Sequence, residues 1–439
     1  MKKVLVLGAG LVAKPLVRYL LGHGYEVTCA SRTVAKAEKL IDSHAHGRAY
    51  PLNLQDEAKL GEFIDGCDLA VSLAPPSFHA LVARMCVERR KPMVTTSYVS
   101  DEMQALDGPA RSAGVVVLNE IGVDPGIDHM SAMRIINEVK QRGGRIVSFM
   151  SYCGGLPAPE ANDNPFGYKF SWAPRGVLLA SRNGARYLRD GRRVTVAPER
   201  LFRDMHVLQV EGFGDFEAYP NRDSLGYLDV YGLHGIETLF RGTLRNMGWC
   251  DCLYNYRKLG LLELDPLDVA GKTYAEFMRD FLGADPGADL RNAAARKMGV
   301  PPDALPVWNL HWLGMFSDRT FTVDRISPLD ALGELMFEKL AFKTGERDLI
   351  VLYHDFHTVY PDGRKERITS RLIELGQEGG DSAMSRTVSL PAAIGVHLIL
   401  QGRIATPGVL RPVIPEIYEP VLEELATLDI VCTEQTEAF

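Results

Sequence analysis

The segment from residue 4 to residue 20 reads VLVLGAGLVAKPLVRYL, with glycine at positions 8 and 10 and alanine at position 13. Gly8 permits a tight turn at the end of an apolar strand, and Gly10 lets the backbone approach a pyrophosphate. Ala13 is small enough for the next helix to pack closely on the strand, and the amino terminus of that helix offers N–H donors to an anion. This spacing predicts a dinucleotide site; the alternative is a helix-packing loop with no ligand.

The apolar stretch EVTCAS at residues 26–31 is followed directly by Arg32 and Thr33. An NAD site usually has an acidic residue at this point, which accepts a hydrogen bond from the ribose 2′-OH. Glu26 stands at the start of the strand, on the wrong side, whereas Ser31, Arg32 and Thr33 supply hydroxyl groups and a guanidinium that suit a 2′-phosphate. The sequence therefore predicts NADP; the alternative is that Arg32 lies on a solvated helix start.

The segment NEIGVDPGIDHM, at residues 119–130, lies between the apolar run GVVVL and an amphipathic helix. The segments SLAPPSFH (72–79) and TTSYVS (95–100) likewise become polar where an apolar strand ends. Ligands of open α/β sheets bind beyond the carboxyl ends of the strands. We therefore expect these three segments to lie together at the rim of the nicotinamide site.

Within residues 119–130, we expect Asp124 to be directed inward, toward the ligand. The alternative is that Asp124 merely caps a turn before Pro125. We expect Asp128 and His129 to cap a helix that opens at Ser131, because polar side chains satisfy the free N–H groups of a first helical turn.

The elements that must position these residues alternate between strand and helix through the first 120 residues. Apolar, β-branched stretches such as KKVLVLG, LAVSLA and GVVVLN are separated by helical periods such as VAKAEKLIDSH and HALVARMCVERR. That order predicts an α/β fold with a Rossmann-type, doubly wound parallel sheet that is covered on both faces.

From about residue 145 the pattern changes to longer β-like stretches, including RIVSFMSYCGG and the strand–turn–strand sequence DLIVLYHDFHTVYPDGRKERITSRLIEL. Residues 246–344 have helical periodicity, and SRTVSLPAAIGVHLILQG, near the end of the chain, reads as an apolar helix that would suit packing back onto the first sheet. The middle of the chain thus looks inserted between two parts of one domain.

The chain has 439 residues and a net charge of -7, without a basic tail. Sequence-independent binding of nucleic acid needs a positive face, so we do not expect it. No apolar run approaches the roughly 18 residues that span a bilayer, and we expect no membrane association. Lys14 and Pro15 fall where a signal peptide would need small residues, so we expect a cytoplasmic protein.

Seven cysteines, odd in number and mostly scattered, fit a reducing compartment rather than a disulfide framework. Cys250 and Cys252 lack a second pair of ligands at metal-binding spacing. His354 and His357, three residues apart on a predicted strand, face opposite ways and cannot easily hold one ion. No metal site is expected.

Long, irregular motifs in the rest of the chain resemble the saccharopine dehydrogenase family, and within it the NADP-linked, glutamate-forming saccharopine reductases. These motifs are SYCGGLPAPEANDNPFGYKFSWAPRGVLL (151–179), YPNRDS (219–224), RGTLR (241–245), GERDL (345–349) and GVLRP (408–412), together with LGAGLVAKP and TTSYVS.

The resemblance implies a Rossmann domain at residues 1–122, completed by about 385–439. It further implies an α/β substrate-binding and dimerisation domain at 123–245 plus 345–384, a helical insert at 246–344, and a homodimer. The implied reaction interconverts saccharopine with glutamate plus 2-aminoadipate 6-semialdehyde, by hydride transfer between NADPH and the imine carbon.

Matching residue by residue, the resemblance implies two sets of contacts. The cofactor contacts are Gly8, Ala9, Gly10, Leu11, Val12, Ser31, Arg32, Thr33, Asn53, Leu54, Ala74, Thr96, Ser97, Val123, Asp124, Pro125 and Ala173. The substrate contacts are Ser97, Tyr98, Asp124, Arg222, Thr243, Leu244 and Arg245. Saccharopine carries three carboxylates, which the fork of an arginine binds better than a lysine does; each arginine could instead form a surface ion pair.

Tyr98, Asp124 and Cys153 are the catalytic candidates around the reacting C–N bond. A carboxylate near an iminium stabilises the positive form that accepts hydride, and a phenol or thiol could relay the proton when water adds or leaves. Each has an alternative, because Tyr98 could only pack and bind substrate, and Cys153 could be a small buried strand residue. Much of the rate could also come from holding the reactants together.

Two other functions stay open at this point. One is a related reductase of the carboxynorspermidine type, which joins a different aldehyde and amine, and the other is an NADP-binding protein without turnover. The two substrate arginines, Arg222 and Arg245, together with the motif at 151–179, favour saccharopine. The joint presence of Tyr98, Asp124, Arg222 and Arg245 argues against a protein without turnover.

Overall fold

The computed structural model describes residues 1–438 and contains two compact units. Unit 1 comprises Met1–Ile146 with the described part of His357–Phe439, and unit 2 comprises Val147–Phe356. Both ends of the chain therefore belong to one unit, and the middle of the chain forms the other. The finer division into three domains stays a prediction.

The strands follow one another along the chain in an order that alternates with helices in the first third. They are β1 (Lys3–Leu7), β2 (Glu26–Ser31), β3 (Gly47–Pro51), β4 (Leu69–Ser72), β5 (Met93–Thr95), β6 (Val116–Leu118), β7 (Arg145–Pro157), β8 (Ala185–Arg189), β9 (Arg192–Val196), β10 (His206–Val210), β11 (Gly214–Pro220), β12 (Thr238–Asn246), β13 (Leu267–Asp268), β14 (Arg325–Ile326), β15 (Asp348–Val359), β16 (Lys365–Leu375), β17 (Gly408–Leu410) and β18 (Thr433–Ala438).

The α-helices are α1 (Lys14–Gly22), α2 (Val34–Ile41), α3 (Glu57–Asp65), α4 (His79–Glu88), α5 (Asp101–Gln104), α6 (Asp107–Ala113), α7 (Ile127–Gln141), α8 (Pro174–Ala180), α9 (Tyr227–Val230), α10 (Trp249–Leu259), α11 (Tyr274–Leu282), α12 (Leu290–Met298), α13 (Leu305–Leu313), α14 (Pro328–Lys339), α15 (Ala383–Leu400) and α16 (Pro415–Thr427). Short 3-10 helices occupy Pro76–Phe78, Pro159–Ala161 and Pro198–Arg203.

Unit 1 is built around a 7-stranded sheet with the strand order β17-β6-β5-β4-β1-β2-β3. Each neighbouring pair is parallel, so the carboxyl ends of all these strands lie at one edge. The chain runs outward from β1 through β2 and β3, and then outward on the other side through β4, β5 and β6. The predicted doubly wound, Rossmann-type sheet is confirmed, and its topological switch point lies between β1 and β4.

The two faces of this sheet bury alternate side chains of β1. Leu5 and Leu7 join a buried cluster that includes Leu60 of α3 and Val82 of α4. On the other side, α1 packs against α15, and α15 contacts β4 and β5. The helix near the end of the chain thus closes a core that the first part of the chain leaves open.

Two strands of the sheet were not predicted from the sequence. β3 has the sequence GRAYP and is exposed at three of its five residues, because it forms the edge of the sheet. β17 is only three residues long and pairs with β6 at Gly408–Leu410. Neither strand contains an apolar run long enough to be recognised by its pattern.

α15 is long and apolar enough to cross a membrane, contrary to the expectation that no segment would be. However, 78% of its 18-residue window is buried inside the protein. Its contacts with α1, α16 and the parallel sheet account for its apolar sequence. We therefore interpret α15 as a core helix of unit 1.

Unit 2 contains a mixed sheet in the order β10-β11-β12-β7-β15, with β8 paired to β12 and to β9. β10, β11 and β12 are antiparallel, whereas β12 and β7 are parallel. Helices α10 to α14 fall within the region of helical periodicity at 246–344, where β13 and β14 form a separate pair.

Candidate active site

The predicted cofactor residues of unit 1 lie at or just after the carboxyl ends of parallel strands, and therefore at one edge of the sheet. They are Gly8, Ala9, Gly10, Leu11 and Val12 after β1, Ser31, Arg32 and Thr33 at β2, Asn53 and Leu54 after β3, Ala74 after β4, Thr96 and Ser97 after β5, and Val123, Asp124 and Pro125 after β6. The structure brings them together at the edge where ligands of such sheets bind.

The glycine-rich loop has the shape that a pyrophosphate requires. Gly8 has a φ of +113°, and a Cβ atom there would lie 2.7 Å from the carbonyl oxygen of Leu73. A Cβ atom on Gly10 would meet nothing within 4 Å, so this side of the loop is open. Ala13 is fully buried immediately before α1, which is consistent with close helix packing. The loop therefore fits a dinucleotide, although the roles of its individual residues stay predictions.

Arg32 is exposed just beyond β2, and it forms no ion pair or hydrogen bond with the residues that the structure describes. The Oγ atom of Ser31 accepts a hydrogen bond of 3.3 Å from the backbone N–H of Thr33. Thr33 precedes α2 without using its hydroxyl to cap the helix. Glu26 is opposite Lys3 in the pairing of β1 and β2, at the amino ends of these strands. Residues 31–33 at the carboxyl end of β2 thus offer a cation and hydroxyls but no carboxylate.

Glu120 anchors the 119–130 loop from inside the protein, where it is 1% exposed. Its Oε1 accepts hydrogen bonds from the backbone N–H of Val99 at 3.0 Å and from Nε of Arg411 at 2.9 Å. Its Oε2 lies 2.9 Å from Nε2 of His129. Burial raises the pKa of Glu120, but the hydrogen bond and charge of His129 and the charge of Arg411 outweigh it, so the pKa lies below its usual range.

The turn at residues 122–126 needs glycine at its end. The N–H of Gly122 donates to the carbonyl of Pro125 at 2.8 Å, and the N–H of Ile127 donates to the carbonyl of Gly122 at 2.8 Å. Gly126 has a φ of +149°, and a Cβ atom there would lie 2.0 Å from the carbonyl oxygen of Gly122. The composition of the loop is therefore explained by a compact turn that holds Asp124 in a fixed position.

The predicted helix cap at Ser131 is wrong. α7 begins at Ile127, four residues earlier, and Oδ1 of Asp128 accepts a hydrogen bond of 2.5 Å from the N–H of Gly126. Ser131 lies inside the helix, where its hydroxyl donates to the carbonyl of Ile127 at 2.7 Å. The helix starts earlier than predicted because the turn at residues 122–126 ends directly before Ile127.

Two of the three catalytic candidates meet within unit 1. The hydroxyl of Tyr98 donates a hydrogen bond of 2.9 Å to Oδ1 of Asp124. Both side chains are half-buried. A carboxylate that accepts from a phenol is a suitable pair for stabilising a cation and for passing a proton.

The third catalytic candidate, Cys153, lies in unit 2 on β7, beside the β12 strand that carries Thr243, Leu244 and Arg245. Thr243 of β12 is opposite Tyr219 of β11 and Cys153 of β7. Residues opposite one another in a sheet project from the same face, so Cys153, Thr243 and Arg245 share one face. Cys153 is 9% exposed. Burial raises the pKa of Tyr219 to about 12.

Arg245 is a buried cation without a carboxylate partner in the described chain, and it is 5% exposed. Its Cζ atom lies 4.8 Å from the ring centroid of Tyr168 and 5.6 Å from that of Trp249. Its Nη1 atom donates to the carbonyl of Leu244 at 2.7 Å. Nε of Arg245 and Nε1 of Trp249 are buried and have no hydrogen-bond partner within residues 1–438.

The nearest cross-strand acid does not neutralise this guanidinium. Glu217 is opposite Arg245 in the sheet, but its carboxylate accepts from the backbone N–H groups of Gly248 at 2.9 Å and Cys250 at 2.6 Å. These groups belong to the start of α10, where a negative charge is favoured by the helix dipole. Because burying an unpaired charge costs several kcal/mol, the site is suited to an anionic ligand.

Arg222 and Ala173 are both exposed. Arg222 follows β11, has a φ of +54°, and accepts a hydrogen bond through its carbonyl from the N–H of Arg186 at 2.9 Å. Ala173 immediately precedes α8. Both lie in unit 2, and their roles toward substrate and cofactor stay predictions.

Two family models cover almost the whole chain. The saccharopine dehydrogenase NADP binding domain matches residues 4–118, and the saccharopine dehydrogenase C-terminal domain matches residues 122–430. The chain belongs to the saccharopine dehydrogenase family. The family assignment agrees with the resemblance seen in the sequence motifs.

Relatives within the saccharopine dehydrogenase family match along their full length. "Saccharopine dehydrogenase [NADP(+), L-glutamate-forming]" of Pyricularia oryzae is 40% identical over 451 residues, covering 100% of this chain and 99% of the relative. The protein of the same name from Saccharomyces cerevisiae is 38% identical, covering 97% and 96%. A solved structure, apo histidine-tagged saccharopine dehydrogenase (L-Glu forming) from Saccharomyces cerevisiae, matches with a TM-score of 0.90 at 37% identity and covers 100% of both chains.

Several residues of this saccharopine dehydrogenase family member were not singled out from the sequence. His79, inside the segment SLAPPSFH, is buried between two serines. In the sequence, it could be recognised only as a polar residue that follows a strand. Arg411, inside GVLRP, pairs with Glu120 across 291 positions of sequence. Trp249, which faces Arg245, had no signal in the sequence.

Proposed function

We propose that this chain is an NADP-dependent saccharopine dehydrogenase of the glutamate-forming type. It interconverts saccharopine with glutamate plus 2-aminoadipate 6-semialdehyde. The main support for an anionic substrate is Arg245, a buried guanidinium that no described carboxylate neutralises. The N–H of Trp249 beside it has no hydrogen-bond partner in the described residues. A tricarboxylic substrate supplies the missing anion.

In the synthetic direction, the amine of glutamate condenses with the aldehyde and releases water, giving an imine. NADPH, when bound, supplies hydride to the imine carbon, and a proton from solvent completes the balance. The chain's own groups bind the two partners and stabilise the positive charge on nitrogen.

Asp124 and Tyr98 are suited to this second task. A carboxylate near the nitrogen favours the iminium, which accepts hydride more readily than the neutral imine. The hydrogen bond of 2.9 Å from the Tyr98 hydroxyl keeps the carboxylate in one orientation and offers a proton path when water leaves. We assign Cys153 the same candidate role as a proton relay in unit 2.

Arg245 is proposed to bind one substrate carboxylate through its free donors, with Trp249 as a second donor and Thr243 beside it on β12. Arg222 is proposed to bind another carboxylate from the loop after β11. Ser31, Arg32 and Thr33 bind the 2′-phosphate of NADP in this proposal. The exposure of Arg32 and Thr33 and the absence of an acidic residue at the end of β2 support it.

The substrate pair is tested by following NADPH oxidation with glutamate plus 2-aminoadipate 6-semialdehyde, and separately with aspartate semialdehyde plus a diamine. We expect turnover with the first pair. Turnover with the second pair alone would assign the chain to the carboxynorspermidine type, and NADPH binding without turnover of either pair would overturn the proposed function.

Arg245→Met tests whether Arg245 binds a carboxylate of the substrate. Because the free enzyme loses a buried charge without a carboxylate partner, its stability should be unchanged or higher, while the Kd of saccharopine rises about 100-fold, or about 3 kcal/mol. The matched control is Arg257→Met on α10, which removes an arginine paired with Glu199 at 3.0 Å. The control should keep its affinity for saccharopine. Unchanged affinity in Arg245→Met, or an equal loss of affinity in both variants, would contradict the role of Arg245.

We further propose a cytoplasmic homodimer. None of the seven cysteines, all within residues 1–438, forms a disulfide, which is consistent with a reducing compartment. Light scattering coupled to gel filtration tests the dimer, and a mass of about one chain would contradict it.

A further inference from the structure

His79 joins two loops at the carboxyl edge of the parallel sheet. Its Nδ1 atom lies 2.8 Å from Oγ of Ser72, the last residue of β4. Its Nε2 atom lies 2.8 Å from Oγ of Ser97, which follows β5. Both ring nitrogens are thus used, and His79 itself begins α4.

The imidazole is buried and neutral. His79 is 5% exposed, and burial lowers its pKa to about 4. A neutral imidazole has one N–H donor and one acceptor nitrogen, so one of the two serines must accept and the other must donate. The ring therefore holds the Ser97 hydroxyl in position and couples its direction to that of the Ser72 hydroxyl.

The Ser97 segment is also held from the other side. The carbonyl of Ser97 accepts a hydrogen bond of 3.1 Å from the N–H of Glu120, and Glu120 in turn binds Val99, His129 and Arg411. The loops after β4, β5 and β6 are consequently connected by buried hydrogen bonds. These strands form the half of the sheet that receives the nicotinamide nucleotide.

We propose that His79 is a positioning residue for the NADP reaction, which acts by fixing the hydroxyl of Ser97 at the nicotinamide end of the site. The inference rests on the proposed function for its kinetic readout. His79 is buried and forms hydrogen bonds with the two serines, so we assign it a role through Ser97 and not a catalytic role.

Two amide substitutions separate its two hydrogen bonds. The amide of asparagine is two bonds from Cβ, as is Nδ1 of histidine, so His79→Asn can keep the bond to Ser72 only. The amide of glutamine is three bonds from Cβ, as is Nε2, so His79→Gln can keep the bond to Ser97 only. We expect His79→Gln to stay within about threefold of the unchanged enzyme in kcat/KM for NADPH, and His79→Asn to lose about tenfold.

A double-mutant cycle shows whether the effect passes through Ser97. Ser97→Ala should lose about as much as His79→Asn, and the double variant should lose no more than Ser97→Ala alone. Ser72→Ala should change the thermal unfolding temperature while leaving kcat/KM unchanged. If His79→Asn does not fold, the contrast between Ser97→Ala and Ser72→Ala carries the test. Equal losses for His79→Gln and His79→Asn, additive losses in the cycle, or equal kinetic losses for the two serine variants would overturn the proposal.

The role of His79 can also be tested if saccharopine is not the substrate. If the unchanged enzyme does not turn over saccharopine, the same variants are compared by their Kd for NADPH in a fluorescence titration. The same ranking is expected there, and equal affinities of all variants would overturn the role of His79.

Discussion

Replacement of Arg32 by alanine should separate the two nicotinamide cofactors. Arg32 is exposed after β2 and has no partner in the described part of the chain, so its guanidinium can bind a 2′-phosphate without first breaking an internal ion pair. A hydrogen bond to a charged group contributes about 1.5–3 kcal/mol, which corresponds to a rise of about 10- to 150-fold in Kd for NADPH. NADH lacks the phosphate and should change by less than about twofold.

The assay is a fluorescence titration of both cofactors, repeated at two salt concentrations, because exposed charges are screened. Removal of an exposed, unpaired side chain should leave the free energy of unfolding within about 0.5 kcal/mol. Arg18→Ala on α1, another exposed arginine, serves as the matched control and should not alter either affinity. Equal weakening of NADPH and NADH, or no weakening of NADPH, would refute the assignment of Arg32.

Three further predictions concern the loops. Gly126→Ala should lower the free energy of unfolding by more than about 3 kcal/mol, because its Cβ would lie 2.0 Å from the Gly122 carbonyl oxygen. The control Gly143→Ala has a φ of +76° and open space around its Cβ, and it should cost about 1 kcal/mol. Equal costs in urea unfolding would contradict this prediction. The pKa of Glu120 is lower in the folded protein than in the unfolded chain. The ionised carboxylate therefore contributes to the free energy of unfolding at any pH above the ordinary pKa of glutamate, and this contribution is lost as the pH falls below about 4. Glu120→Gln should therefore be less stable at pH 7 and lose less stability between pH 5 and pH 3, which a pH series of denaturation curves can check. Arg222→Ala should raise the KM for saccharopine more than it lowers kcat, because it removes mostly uniform binding, and an unchanged KM would refute its role.

The sequence predicted the Rossmann sheet because its strands and helices have strong, short-range patterns. β1, β2 and β4 are apolar stretches followed by helices, and the glycine loop marks their first joint. β3 escaped prediction because its exposed edge position needs no apolar pattern. The start of α7 escaped because a backbone turn, rather than a side-chain cap, defines it.

The candidate site was less accessible to sequence reasoning. The family motifs pointed to Arg245, but its isolation depends on Glu217 being engaged by the start of α10, which is a property of packing. The link between Ser72, His79 and Ser97 depends on the spacing of two neighbouring parallel strands. Such contacts join residues that are far apart or irregularly spaced in the sequence, so no periodic pattern predicts them.

The proposed hydride transfer is tested most directly by following deuterium from NADPH that carries two deuterium atoms at C4 of the nicotinamide. The enzyme is incubated with this cofactor, glutamate and 2-aminoadipate 6-semialdehyde, and the saccharopine formed is fragmented in a mass spectrometer. We expect one deuterium on the former aldehyde carbon, in the lysine-derived part of the product. Deuterium on the α-carbon of the glutamate part, or saccharopine without deuterium, would contradict it.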